Sequence, residues 1–218
     1  MGEGATGGRQ RWKQDPDGVR RAILDAAIAE FARQGYASTR VEDIAAQTAT
    51  SKRMIYYYFT DKEGLYLQAL ESAYAKVRAG EAALRLDHLP PLLALRALVE
   101  FTFDHHRSNP DFIRLVMIEN VHNAENLRAS GLIGRVNAGA IEKLADILAR
   151  GQASGSFRAD ITPLELHWHI SALSFFNVSN QPTFSALFGG ALFTQRGQKA
   201  LRDRAVEMIT AFARNPDK

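Results

Sequence analysis

The chain has 218 residues, of which 46% are hydrophobic and 23% are charged, and this composition is typical of a globular protein. It excludes a disordered or collagen-like chain. Because cysteine is absent, disulfide-stapled folds, cysteine nucleophiles and cysteine-ligated metals are excluded as well. The amino terminus lacks the apolar stretch of a secretory signal, and no apolar run approaches the roughly 18 residues of a membrane span, so we expect a cytoplasmic location. The formal net charge of +3 permits a nucleic-acid partner without requiring one.

Residues 1–16 are rich in glycine and are predicted to form a flexible basic arm, with Arg9, Arg11 and Lys13 as its cations. Such arms can follow a DNA backbone or enter a minor groove, and a solubilising tail is the alternative. The first helix is predicted to begin after the arm, because apolar residues recur every four positions from Val19, and to end at Gly35.

Helical periodicity continues along the rest of the chain, and three Thr-x-x-Glu capping boxes predict helix starts at Thr39, Thr60 and Thr162. Ser51 is predicted to cap another helix. The apolar stretch from Gln181 to Gln195 is expected to be a loop that packs against other parts of the chain. No stretch alternates with period two, so we predict an all-α fold of about nine helices, with boundaries near 41–48, 51–58, 111–122, 132–150, 163–179 and 196–213 among them.

Two of the predicted helices, at 41–48 and 51–58, are short and joined by a tight turn, which is the layout of a helix-turn-helix. The second presents cations and phenols with no acid before Asp61: Lys52, Arg53, Met54, Tyr56, Tyr57 and Tyr58. Cations neutralise phosphates, tyrosine hydroxyls donate hydrogen bonds to them, and the start of a recognition helix reaches base edges. A solvated basic helix face with a few core anchors is the alternative reading of the same pattern.

The run TRVEDIAAQTATSKRMIYYYFTDKEGL, from Thr39 to Leu65, resembles the DNA-binding segment of the tetracycline-repressor-like (TetR) family of bacterial transcription regulators. The resemblance covers about residues 19–70 and includes Phe31 and Gly35. It implies a three-helix DNA-binding domain at 17–61 that binds operator DNA as a dimer. Carried over position by position, it implies DNA contacts by Thr39, Arg40, Ser51, Lys52, Arg53, Met54, Tyr56, Tyr57, Tyr58 and Lys62.

The turn of this motif departs from the family pattern at Ala49, where family members usually have glycine. A residue with a Cβ costs on the order of 1 kcal/mol in a left-handed backbone conformation. We therefore expect a somewhat different turn geometry at this position, with an effect on how the recognition helix sits in the groove.

For residues 62–218 the resemblance implies a larger helical domain that dimerises and binds a small-molecule effector. The helices at about 163–179 and 196–213 would pair with their symmetry mates in a four-helix bundle. The first of these carries apolar residues on more than one face, which indicates an interface, whereas a deeply buried helix is the alternative.

Polar groups inside apolar helices indicate where an effector would bind in that domain. The predicted ligand contacts are Phe101, His105, Met117, Asn120, Trp168 and Phe175. Helix caps and surface groups are the alternative for each of these residues. The sequence does not identify the effector.

Catalytic and metal sites have no support in the sequence. A Glu-x-x-His pair at Glu119 and His122 has the spacing of half a di-iron motif, but its second half is missing, and His167 and His169 point to different helix faces. We therefore expect no enzyme activity, no metal and no cofactor. The prediction is a ligand-responsive repressor of transcription, and the alternative is a helical ligand-sequestering or protein-interaction protein with a weakened helix-turn-helix.

Overall fold

The computed structural model describes residues 15–216, except for the side chain of residue 136, so most of the predicted basic arm lies outside the described residues. Within this range the chain is all-α, as predicted, with eleven α-helices instead of about nine. They are α1 (Pro16–Ser38), α2 (Val41–Gln47), α3 (Lys52–Phe59), α4 (Lys62–Ala83), α5 (Pro91–Ser108), α6 (Pro110–Val121), α7 (Glu125–Ala129), α8 (Gly131–Ala153), α9 (Pro163–Ser179), α10 (Gln181–Phe188) and α11 (Gln195–Ala213). None of these helices is long and apolar enough to span a bilayer.

The described chain divides into two compact units. The first unit runs through Tyr74 and includes Arg114–Gly131, so it contains α1 to α3, most of α4, and the segment around α7. The second unit consists of Ala75–Ile113 and the chain from Leu132 onward.

The first unit is built on an aromatic cluster between α1 and α4. Phe31 and Tyr66 are fully buried, and their rings meet edge to face with centroids 4.9 Å apart. The ring of Tyr36 lies 5.1 Å from that of Tyr66. Gly35 interrupts the regular helix between Phe31 and Tyr36. Its φ of 77° is the left-handed conformation that glycine adopts at helix ends.

The second unit has its core where α5, α9 and α11 pack against one another, with α8 beside them. Leu95, Leu166 and Ile147 are fully buried there. A polar pair fixes α9 to α11: the buried amides of Asn177 and Gln198 exchange two hydrogen bonds of 2.9 Å. Since both amides are satisfied by each other, the pair orients the two helices at little desolvation cost.

Two of the predicted capping boxes are wrong. The Thr39 hydroxyl donates backward to α1, and Arg40 precedes α2 without a side-chain cap. At α4 it is Asp61, not Thr60, whose carboxylate accepts from the backbone, at Gly64 N, over 2.7 Å. The caps at Ser51 and Thr162 are confirmed, each accepting from the backbone N–H three residues later.

The segment 181–195 is not the predicted loop. It forms α10 and a 3-10 turn at Ala191–Phe193, because Pro182 favours the first turn of a helix and Gly189, at φ 81°, ends it. The rings of Phe184 and Phe188 are 4.8 Å apart. Helix α7 was not predicted either. The residue before it, Ala124, is left-handed and gives no side-chain cap, so the sequence has no capping pattern at this position.

Candidate nucleic-acid interface and effector region

Helix α3 is held by one apolar face and one cap. Ile55 and Phe59 are buried, and the Ser51 hydroxyl accepts a hydrogen bond of 3.2 Å from Met54 N. These contacts leave the opposite face of the first turn in solvent. The local sequence therefore positions the start of α3 as an exposed, capped turn.

The residues predicted to contact DNA are exposed along that free face to different degrees. Lys52 and Arg53 are exposed, and Tyr57 has 76% of its surface free. Tyr56 and Tyr58 are half-buried, as is Met54. The face thus combines two exposed cations with one exposed and two half-buried tyrosines.

An acid from the neighbouring helix reaches this face, which the sequence pattern did not reveal. Lys52 Nζ lies 2.6 Å from Glu42 Oε1 of α2 and stands over the Tyr56 ring at 5.6 Å from its centroid. The hydrogen bond raises the pKa of Lys52 and lowers that of Glu42. Arg53 makes no ion pair within the described part of the chain, so it is the free cation of the first turn.

The prediction that Thr39 contacts DNA needs correction. Its side chain is buried, and its hydroxyl donates to Gly35 O over 2.8 Å and to Glu30 O over 3.2 Å. This hydroxyl joins α2 to the end of α1 and is not available to a phosphate. Arg40, the next residue, is exposed and remains a predicted contact.

Lys62, at the start of α4, is tied to the end of α1. Its Nζ donates to Ala37 O over 3.2 Å and lies 4.8 Å from the centroid of the Tyr36 ring. Burial raises the pKa of Tyr36, with Glu63 and Asp61 adding to the shift. The ammonium is only partly buried, so a phosphate could add to these contacts.

Sequence reasoning missed Glu30, which joins α1 to the helix-turn-helix. This carboxylate is 6% exposed and accepts from Gln34 and Gln47, each over 2.6 Å, as well as from Arg33. Its pKa is lowered mainly by the hydrogen bonds from Arg33 and Gln34. No motif marks it, because glutamate and glutamine at helical spacing also describe an ordinary solvated surface.

The turn between α2 and α3 places Ala49 at a φ of 48°, in the left-handed region expected from the usual glycine. Ala49→Gly should therefore raise the free energy of unfolding, by about 0.5 to 1 kcal/mol after the larger entropy loss of glycine is counted. Ala46→Gly, at an exposed site within α2, should lower it by a similar amount. Urea unfolding measures both variants, and a destabilised Ala49→Gly protein would contradict the strain.

The predicted effector contacts lie in different surroundings. In the second unit, Phe101 and His105 are half-buried with ring centroids 5.5 Å apart, and Phe175 is half-buried on α9. Met117 and Asn120 belong to the first unit and are exposed. Trp168 is 66% exposed, so its placement in an interior pocket of the chain is not supported.

Two further histidines, His106 and His167, lie near His105 and were not among the predicted ligand contacts. His106 is 7% exposed, and burial lowers its pKa to about 4, with the charges of His105, Arg78 and His167 acting in the same direction. Burial also lowers the pKa of His105 and of His167, with a further contribution from Arg78 in both cases. We call these three residues the histidine cluster. A buried, uncharged histidine has no sequence signature of its own.

A separate open cleft of about 470 Å³ lies between the end of α5 and the start of α11. It is lined by polar side chains: Asp104, Arg107, Gln195, Arg196, Gln198, Lys199 and Arg202. Arg202 pairs with Asp104 over 2.7 Å, and Lys199 with Asp203 over 2.6 Å, so much of its positive charge is neutralised locally. None of the predicted effector contacts lines this cleft. Among residues 15–216, no group of histidine and acidic side chains is arranged to hold a metal ion.

Two family models together match most of the chain. Residues 23–69 match the model described as bacterial regulatory proteins, tetR family, and residues 91–209 match the tetracyclin repressor-like C-terminal domain. The first match contains α2 and α3 with the exposed face described above. The second covers more than half of the chain and includes the histidine cluster.

Curated relatives match over most of their length. The transcriptional repressor NicS of Pseudomonas putida is 38% identical over 173 residues, which are 79% of this chain and 82% of NicS. The transcriptional regulator RutR of Escherichia coli is 31% identical over 79% of this chain and 80% of its own length. A transcriptional regulator of Streptomyces coelicolor has a similar solved structure, with a TM-score of 0.68, 27% identity, and 91% of this chain and 99% of its own covered.

Proposed function

Since the chain belongs to the TetR family of bacterial transcription regulators, we propose that it is a cytoplasmic repressor that binds operator DNA as a homodimer and is released by a small-molecule effector. In this proposal residues 17–61 bind DNA, and residues 62–218 dimerise and bind the effector. The similarity to NicS, which is named a repressor, supports repression over activation.

The exposed first turn of α3 is the observation that supports DNA binding. A helix whose start is free, capped by Ser51 and cationic at Arg53 has the shape and charge to enter a major groove. Its side chains divide by role. Arg53 is assigned to base edges, where a guanidinium can bond guanine twice, and Tyr57 is assigned to phosphates. Lys52 would have to give up its ion pair with Glu42 to bind a phosphate. Its net contribution to DNA affinity is therefore smaller than its position on the helix implies.

Helix α9 supports the dimer, because it is apolar on two faces. Leu166 and Ile170 are buried in the second unit, while Leu164, Trp168 and Phe176, at intervals of four or eight residues, are 66%, 66% and 55% exposed. An exposed apolar stripe of this size on a helix already packed on its other side marks an interface. We assign the stripe, with the exposed Met208 of α11, to a two-fold contact with a second copy of the chain.

Selection of duplexes from a random DNA pool tests the proposal, because it requires no particular operator to be specified in advance. We expect an inverted repeat to be enriched, two chains to bind each selected duplex in sedimentation, and log affinity to fall linearly with log salt concentration in fluorescence anisotropy. The number of phosphates contacted follows from the slope. A pool without enrichment, or an affinity that salt does not change, would overturn the proposed function.

A further inference from the structure

Two neighbouring histidines in the second unit have ring nitrogens that are buried and unpartnered. His105 Nδ1 and His106 Nδ1 are both inaccessible to water and form no hydrogen bond within the described chain. A buried polar atom without a partner loses the hydrogen bonds that it makes to water in the unfolded chain, and few native groups are left in this state. Their adjacency at the end of α5 indicates a place where a partner from outside the chain completes the hydrogen bonding.

The bond at the other nitrogen of His106 defines what its Nδ1 can do. The Ser174 backbone on α9 acts on the His106 ring through a hydrogen bond that raises its pKa, so the carbonyl is the acceptor. Because Nδ1 has no partner, we assign the donor to the other nitrogen. In a neutral imidazole one nitrogen donates and the other accepts, so Nδ1 is an acceptor with a free lone pair. Burial keeps the ring neutral, because it lowers the pKa of His106 to about 4. The missing partner of His106 is therefore an N–H or O–H donor.

Two phenyl rings lie beside the two histidines. The Phe112 ring lies 5.9 Å from that of His106 and 6.4 Å from that of His105, and the Phe101 ring lies 5.5 Å from His105. Phe101 also packs closely on α4, where a Cβ on Gly80 would be only 2.6 Å from it. Flat faces and edges of this kind favour a flat aromatic ligand.

The charges near the histidines are positive. Lys76 and Arg78 of α4 both act on His105, and Arg78 acts on all three members of the histidine cluster. Arg78 is fixed in place, since its Nε donates to Asn137 Oδ1 over 2.9 Å and its guanidinium pairs with the buried Glu81. A positive potential favours an acidic O–H donor, because the positive charges stabilise the partial negative charge on the oxygen of the donating hydroxyl.

We propose that His106 Nδ1 is the hydrogen-bond acceptor of the effector site and that this site takes a small hydroxyaromatic molecule, whose hydroxyl donates to Nδ1. The proposal rests on the proposed function, in which the second unit binds the effector. A phenolic hydroxyl combines the two required properties: it is an acidic O–H donor, and it stands on a flat ring.

Phenol and anisole test the proposal, because they differ by a methyl group that removes the donor. In isothermal titration calorimetry on the DNA-free protein, phenol should bind about tenfold more tightly than anisole, as expected for a buried acceptor left unpaired by the ether. His106→Phe should bring this ratio to about one. His88→Phe, at a side chain that is 63% exposed, should leave the ratio unchanged.

A second measurement uses the wild-type protein alone, so it does not depend on the folding of a variant. With ¹⁵N-labelled histidine, phenol should move the Nδ1 signal of His106 upfield, as hydrogen bonding to a lone pair does, and anisole should not. Equal affinity for the two compounds, binding of neither, or a tenfold preference that persists in His106→Phe would overturn the proposal. These readouts contain no DNA, so their failure is distinct from a failure of the duplex selection.

Discussion

Arg53→Glu is expected to lower the affinity for a selected operator duplex by about a hundredfold or more at moderate salt, since a bidentate arginine–guanine pair contributes about 1 to 3 kcal/mol and the change acts in both protomers. Arg53 is exposed on the first turn of α3 and has no acid partner among the described residues. Its loss therefore leaves the fold unchanged, and the new carboxylate repels the DNA backbone. Fluorescence anisotropy against salt concentration measures the affinity and its slope.

Arg85→Glu is the matched control for this prediction. Arg85 is exposed between α4 and α5 in the second unit, and the substitution changes the net charge by the same amount. We expect it to weaken DNA binding only slightly, because it lies outside the helix-turn-helix. Equal losses for the two variants would mean that the overall charge, and not the face of α3, determines binding.

How far the DNA-binding face was predictable depends on the range of the contacts involved. The start of α3 at Lys52 follows from a local signal, the serine cap, and Ile55 follows from helical spacing. The pairing of Lys52 with Glu42 does not, because the two residues are ten positions apart on different helices. Thr39 shows the same limit. Its capping-box pattern is local, but in the fold its hydroxyl donates to the Gly35 carbonyl and does not cap α2.

The effector region was less predictable for a related reason. The sequence indicated Phe101 and His105 because they stand out as aromatic or polar residues within an apolar helix. Whether a residue faces the interior depends on which helices pack beside it, and this is why Trp168 was predicted to contact the ligand although it is 66% exposed. His106 was considered beside His105 but was not selected as a ligand contact, since its burial under α9 leaves no trace in the sequence of α5.

Acid should destabilise the second unit through His106. Its pKa falls from 6.5 to about 4 on folding, so between these values the unfolded chain binds a proton that the folded chain does not. Stability is therefore greatest above pH 6.5 and is lost as the pH falls toward 4. The full shift corresponds to about 3 kcal/mol. His105 and His167, whose pKa values are also lowered, act in the same direction.

His106→Phe separates this contribution from general acid effects, because a phenyl ring fills the same space and binds no proton. We expect the variant to be less stable than the wild type at pH 7, where the bond to the Ser174 carbonyl is lost, and to lose about 3 kcal/mol less between pH 7 and pH 4. Urea unfolding at several pH values measures both terms. His88→Phe controls for the loss of a histidine at the surface. Parallel pH profiles for wild type and His106→Phe would show that His106 is protonated alike in the folded protein and the unfolded chain, and they would contradict a pKa lowered by burial.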